Sequence, residues 1–264
     1  MPAEPSAYWD RIVATWSTPA GPRLWRSYSD LVNARLLGEW LPTERLKRVL
    51  KTDCFDEATG DSGIFLRLRA LSDRVVGIDI SPRALSEARA RNPDLRTVGS
   101  DVSRLPFADA TFDVVVSNST LDHLDTLAEI GAALGELRRV LHPGGRLILT
   151  LDNRCNPVIA LRSVLPQSWL TRLHLVPYRV GANCGPEHLA SLARVAGLEI
   201  EHVGSIMHCP RLPAVVAANL FDRLARAKLK TRFVRALLSW ERLERWPTRF
   251  YTGYFVSLIA TRVQ

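Results

Sequence analysis

Residues 105–124 read LPFADATFDVVVSNSTLDHL, and residues 136–151 read ELRRVLHPGGRLILTL. Phe112 to Val116 is a short apolar run rich in β-branched residues, as expected of a strand buried on both faces of a parallel sheet. Leu127, Ile130, Leu134, Leu137, Val140 and Leu141 recur at helical spacing, so residues 126–141 should cover one face of that sheet. Pro143 cannot continue the helix, and Gly144-Gly145 permits a tight turn into a second strand, RLILTL. Strand, helix and strand at this length make a right-handed crossover. In doubly wound sheets ligands bind outside the carboxyl ends of the strands. That rule sets Asp101, Ser117-Asn118 and Asp152-Asn153 along one rim.

Working outward, residues 45–55 (RLKRVLKTDCF) carry an earlier strand and VVGIDIS (75–81) the next. Ser81-Pro82 is a helix cap followed by proline at the first helical position, and that helix ends before Asn92-Pro93. LRTVGSDV (95–102) is a third strand. Residues 154–182, with Pro157, Pro166, Pro177 and Gly181, read as irregular. A helix from about Pro186 to Ala196 precedes LEIEHVGSI (198–206), and GYFVSLIAT (253–261) closes the order. Residues 1–44 form a helical preface with Trp9, Trp16, Trp25 and Trp40, interrupted at Pro19, Gly21-Pro22 and Pro42.

Composition narrows the function classes. A chain of 264 residues buries a sizeable core and is long for one minimal α/β domain. No apolar run reaches the length of a membrane span, and the N-terminus lacks the charge and apolar pattern of a secretory signal, so a cytoplasmic protein is expected. Cys54, Cys155, Cys184 and Cys209 are scattered and make no zinc-ligand spacing; no metal site is expected. There is no P-loop, GxSxG elbow or HExxH. The net charge is +8 and the isoelectric point about 9.8. Without an RNA-binding signature or lysine-rich tail, that charge does not point to nucleic acid. Its densest cluster, Arg223 to Arg235, alternates with Leu220, Phe221, Leu224, Phe233, Val234, Leu237 and Leu238 as one amphipathic helix or a broken pair. That apolar face is long enough to dock on its own domain, so strong binding to anionic lipid is not expected.

The order of strand, acid, polar loop, helix and HPGG turn resembles the class I S-adenosylmethionine-dependent methyltransferase superfamily over residues 45–264. The resemblance implies an α/β fold with a doubly wound, Rossmann-like seven-stranded sheet whose last strand is antiparallel, between the fifth and sixth, behind the helical N-terminal extension. It implies insertions at 154–182 and 207–250 where the substrate pocket is built, S-adenosylmethionine as cofactor, and a small-molecule acceptor; the aromatic-rich flanks and the basic helical region point to an acidic or amphipathic one. By the same resemblance Asp79 takes the ribose hydroxyls, Ile80 packs on the adenine beside Ser81, and Asp101 receives the adenine amino group with Val102 offering its N–H. Ser117 and Asn118 follow the fourth strand beside the cofactor.

The first motif departs from the superfamily. LKTDCFDEATGDSG (50–63) holds glycine only at Gly60 and Gly63, where relatives carry an acid and a glycine-rich loop. Either Lys51 or Asp53 stands in the acid's place; Asp53 puts a carboxylate at the strand exit, with Thr52 and Phe55 beside it. Residues 1–44 then form a lid, and Arg26 is its candidate partner for the cofactor carboxylate. His123 is the candidate general base, oriented by Asp122 or Asp125, because a histidine takes a proton near neutral pH. Asn153, Tyr178 and His188 are candidate acceptor contacts. The expected activity is methyl transfer from S-adenosylmethionine to oxygen, nitrogen or carbon. Use of the cofactor's aminocarboxypropyl arm, or a non-catalytic cofactor-binding subunit, are the alternatives.

Overall fold

The computed structural model describes residues 5–16, 23–60, 63–172, 176 and 179–263. Its strands are β1 (Val49–Lys51), β2 (Val75–Asp79), β3 (Arg96–Gly99), β4 (Phe112–Asn118), β5 (Leu141–Asp152), β6 (Leu198–Ile206) and β7 (Phe255–Arg262). The helices before β4 are α1 (Pro5–Trp16), α2 (Arg23–Trp40), α3 (Phe55–Thr59), α4 (Gly63–Leu71) and α5 (Pro82–Arg91). After it come α6 (Leu127–Val140), α7 (Pro157–Val164), α8 (Gln167–Arg172), α9 (Pro186–Val195), α10 (Arg211–Leu224), α11 (Ala227–Ser239) and α12 (Arg249–Thr252).

The strands form one sheet in the order β3-β2-β1-β4-β5-β7-β6. β1 to β5 pair in parallel, while β7 runs antiparallel to both β5 and β6. This is the seven-stranded topology the sequence implies. Alternation along the central strands builds two cores. Val114, Val116, Val49 and Ile148 point to one face, covered by α2, α4 and α5 through Leu37, Leu68 and Ala88. Leu50, Val115, Leu147 and Leu149 point to the other, covered by α6 through Ile130, Leu134 and Leu137. A parallel strand covered on both sides needs apolar residues at successive positions, and β4 supplies them.

Local chemistry sets the element ends. Thr126 caps α6 and Glu129 reaches back to the Thr126 N–H, a reciprocal capping pair. The helix stops at Val140, and Leu141 already pairs with Phe112. The Pro143-Gly144-Gly145 run is therefore an irregularity inside β5 rather than a turn before it. A Cβ on Gly145 would lie 2.9 Å from the His142 carbonyl oxygen and 3.0 Å from that of Asp113. The segment after β5 is also more ordered than its prolines suggest. Asn156 accepts hydrogen bonds from Val158 and Ile159 N–H and starts α7 with Pro157 at its first position.

The basic region is a broken pair, α10 and α11, both packed on α2. The N-terminal preface divides in two. α2 belongs to the body of the protein: Tyr28 is fully buried and donates to Glu241, which also accepts the N–H groups of Met207 and His208. α1 lies across α5 and α3 instead.

Candidate active site

A cavity of about 720 Å³ opens at the carboxyl ends of β1 to β4. Its wall includes Tyr8, Trp9 and Arg11 of α1, and Trp25, Ser29 and Asp30 of α2. The β2 and β3 ends contribute Asp79, Ile80, Ser100, Asp101 and Val102. Asp79 Oδ1 accepts the Ser81 N–H at 2.8 Å and Oδ2 the Cys54 N–H at 3.0 Å. Each oxygen keeps lone pairs for a further donor, which suits a vicinal diol. Burial pushes this carboxyl up to about 6, against the pull of those two N–H donors. Asp101 is exposed and is held by Ser103, whose N–H and hydroxyl both donate to Oδ1.

The β1 exit is built differently. Lys51 is fully buried, and its Nζ donates to Glu57 at 3.0 Å, to the Asp53 carboxylate at 3.2 Å and to the Asp53 carbonyl at 2.9 Å. Burial lowers the lysine's basicity, but the carboxylates of Asp53 and Glu57 outweigh it and hold the ammonium well above its ordinary range. Burial pushes the Glu57 carboxyl up to about 8, against the pull of Lys51. Asp53 faces the lysine even when Glu57 is protonated, so the ammonium keeps its charge. Lys51 is thus turned beneath α3, while Thr52, Asp53, Phe55 and Asp56 face the cavity. Where a glycine loop would run, the chain enters α3 at once and closes it on Gly60 at φ 94°.

The β4 exit carries the remaining polar groups. Ser119 takes φ 51°, which throws residues 119–123 over the cavity. Thr150 Oγ1 donates to Asn118 Oδ1 at 2.8 Å and accepts the Ser119 N–H at 3.0 Å. Thr120 Oγ1 lies 2.8 Å from Thr52 Oγ1 and donates to Asp53 at 3.3 Å, which links the β4 loop to the β1 exit. His123 lines the cavity with Trp9 edge-on to its ring, centroids 4.6 Å apart. Burial holds its imidazole below the ordinary range, against the carboxylates of Asp152 and Asp53, so the ring is neutral near pH 7. Gly181 N–H donates to the Asp122 carbonyl and Ala182 N–H to that of Leu124. A Cβ at Gly181 would come within 2.3 Å of the Leu124 oxygen, so glycine is required where this strand of chain crosses the loop.

The cavity brings together Thr52, Asp53, Phe55, Asp79, Ile80, Asp101, Val102, Asn118 and His123. Several other expected residues are placed elsewhere. Ser81 is fully buried as the α5 cap and bonds Asp10, and Ser117 is buried under Thr52. Arg26 reaches the Thr59 carbonyl at 3.5 Å and stands off the cavity wall; Arg11 and Arg211 line it instead. Asp122 does not orient His123: its carboxylate accepts the Ser119 hydroxyl at 2.7 Å, and burial raises its pKa to about 6. Asp125 pairs with Arg179 at 3.1 Å, and it is the Arg179 backbone that meets His123. Asn153 is fully buried and ties the β5 end to the carbonyls of Phe250 and Gly253. His188 is exposed on α9, away from the cavity, and Tyr178 lies outside the described residues. The α1 residues Trp9 and Arg11 were not among the expected ones. Their only sequence signal is the aromatic, arginine-bearing character of the preface.

Comparison with known proteins agrees with this geometry. Residues 55–149 match the family described as a methyltransferase domain. Over 95 residues the chain is 41% identical to a demethylmenaquinone methyltransferase of Thermus thermophilus, covering 34% of this chain and 42% of that one. Over 127 residues it is 35% identical to a malonyl-[acyl-carrier protein] O-methyltransferase of Enterobacter lignolyticus, covering 48% and 45%. The match thus spans less than half the length of these two relatives. The fold superposes with a TM-score of 0.61 on a Thermotoga maritima crystal structure described as an S-adenosylmethionine-dependent methyltransferase, possible histamine N-methyltransferase. That alignment covers 97% of this chain and 99% of the other at 18% identity, a likeness of fold. Residues 55–149 thus match a methyltransferase domain within a seven-stranded sheet in which antiparallel β7 lies between β5 and β6, one acid ends β2 and another follows β3, and the chain shares this fold with S-adenosylmethionine-dependent methyltransferases.

Proposed function

We propose that the protein transfers a methyl group from S-adenosylmethionine to an oxygen, nitrogen or carbon atom of a small acidic or amphipathic acceptor. One observation carries the reading: Asp79 and Asp101, at the ends of adjacent strands, open onto the same cavity as the β4 loop with His123. When bound, the cofactor supplies a methyl group on a sulfonium, already activated for displacement. Asp79 would accept the two ribose hydroxyls, and Asp101 with the Val102 N–H would hold the adenine edge beside Ile80. Thr52, Asp53, Phe55 and Asn118 border the methionine end. α1 acts as a lid, and the insertions at 154–182 and 207–250 shape the acceptor side of residues 45–264. Neutral His123 takes the acceptor's proton, and Trp9 keeps water from its ring. A cytoplasmic location is part of this reading, since exposed Cys155 stays a thiol in a reducing compartment.

The crowded β1 exit favours a second reading, use of the aminocarboxypropyl arm, because Phe55 and α3 displace the usual bed of the methionine tail. Incubating the protein with S-adenosylmethionine and a small-molecule extract separates the two. S-adenosylhomocysteine supports methyl transfer, methylthioadenosine supports the second reading, and cofactor binding without either product leaves a non-catalytic subunit. His123→Ala is expected to cut turnover by about 10²- to 10⁴-fold with cofactor affinity little changed. Because burial lowers the His123 pKa, the wild-type rate should rise with pH on the acid side and be level by about pH 7. Full turnover in His123→Ala removes the base assignment.

A further inference from the structure

α10 is amphipathic the wrong way round for a helix that only serves the core. Ala214 and Ala218 face inward, while Leu212, Val216, Leu220 and Leu224 recur every fourth residue on the outward side, each between 55% and 76% exposed. α7 repeats the inversion. Its inward side buries Arg162 against Asp152 beside a single aliphatic residue, Ile159, and its outward Val158, Leu161 and Val164 are between 50% and 69% exposed. The two helices meet at Tyr254: Arg162 donates to its hydroxyl at 3.4 Å, and Arg211 at the start of α10 stands over its ring at 5.0 Å. Arg211 also lines the cavity, so this apolar surface adjoins the site.

The charge beside it is one-sided. Residues 211–235 hold seven basic residues and one acidic residue, Asp222. Asp222 is turned inward, accepting the Leu24 N–H at 3.2 Å. Arg223, Arg226, Lys228, Arg232 and Arg235 are exposed. α11 docks its apolar face on the domain through Val234 and Leu237, whereas α10 docks through the small Ala214 and Ala218 and leaves Leu212, Val216, Leu220 and Leu224 outward. Exposed aliphatic side chains at helical spacing beside a cationic helix are the make-up of an interfacial helix on anionic lipid. A second copy of the chain would set like charge against like charge. Among the described residues no helix is long and apolar enough to cross a membrane, which leaves contact with its surface.

We infer that the outward faces of α10 and α11 bind an anionic membrane surface peripherally, next to the cavity. The full chain is to be co-sedimented with vesicles of equal parts phosphatidylglycerol and phosphatidylcholine, and with phosphatidylcholine alone. Wild type should pellet with the anionic vesicles and be released as salt rises. Val216→Glu/Leu220→Glu and Arg226→Glu/Lys228→Glu should each lower binding by about tenfold or more. All four side chains are exposed, so unfolding midpoints should not move. Wild type left in the supernatant, equal binding to neutral vesicles, or wild-type binding by both double variants overturns the inference. So does a solution dimer that Val216→Glu/Leu220→Glu dissociates, which would assign the face to a second copy.

Discussion

At the ends of β2 and β3, Asp79 and Asp101 turn toward the cavity, fixed by backbone and hydroxyl donors. One strand away, at the end of β1, Lys51 and Glu57 pair beneath α3, and it is Asp53 and Asp56 that reach the cavity. Both regions hold ionisable groups at strand ends, and both raise a carboxyl by burial. They differ in where the second partner comes from. At Asp79 the proposed ligand would complete the set from the cavity, whereas Glu57 Oε2 takes Lys51 and its Oε1 stays buried beneath α3, out of a ligand's reach. A perturbed acid alone therefore does not mark a binding residue; the direction its free lone pairs face does. Where the sequence resemblance would set a loop that approaches a ligand, the β1 end has a short helix held over a buried ion cluster.

The largest expected effect tests that exchange. Lys51→Met removes the counter-charge of two carboxylates, one of them fully buried, and should cost about 3–5 kcal/mol of stability in urea unfolding. Lys51→Met combined with Glu57→Gln should recover most of the loss, because no buried acid is then left without its cation. A single variant as stable as wild type would mean that α3 is held by packing alone, and the contrast between the two regions would lose its basis.

The better-read region was also the more local one. Asp79 ends the apolar run of β2, so its place on the rim follows from the strand, and Asp101 lies two residues past β3 in a turn set by the nearby Ser103. The same Ser/Asn-Pro start signal occurs at Ser81-Pro82 and Asn156-Pro157. Among the prolines of 154–182 the second reads as irregularity, yet both begin helices. Asn153 occupies the expected rim, but β7 inserts beside β5 and its approach supplies the Gly253 and Phe250 carbonyls that consume the amide. Trp9 reaches His123 from more than a hundred residues away, and Asp10 reaches Ser81 from seventy-one. Contacts at that separation leave no periodicity in the chain. Lys51 is ambiguous in sequence because a strand-end lysine reads as solvated until α3 is seen to cover it.

A smaller effect sharpens the other half of the comparison. With its pKa raised to about 6, Asp79 is the ionised acceptor above that pH and loses acceptor capacity as pH falls through it. Affinity for S-adenosylmethionine, measured by calorimetry, should therefore decline from about pH 7 to pH 5. Asp79→Asn should lose about 1.5–3 kcal/mol of binding at neutral pH and flatten this dependence. Unchanged affinity in Asp79→Asn would leave the β2 end as passive as the β1 end.

The smallest effect concerns α1, which spans both regions. Asp10 Oδ1 accepts the Ser81 hydroxyl at 2.5 Å and the Arg83 N–H at 3.0 Å, clamping α1 to the start of α5 directly behind Asp79. From that clamp the helix carries Trp9 across to His123 and sets the Tyr8 hydroxyl to receive the Arg179 N–H at 2.6 Å. Asp10→Ala removes two charge-assisted bonds at a partly exposed site, so a change of about 1–2 kcal/mol is expected. Because α1 adds little to the central cores while α2 adds much, the change should appear in cofactor affinity, roughly tenfold, more than in the unfolding midpoint. The same substitution should also expose the indole of Trp9, read as increased quenching of tryptophan emission by iodide. Normal affinity with normal quenching would show that α1 stays in place without its clamp. Normal affinity with increased quenching would show that α1 moves freely without serving the site, and the lid assignment would fall.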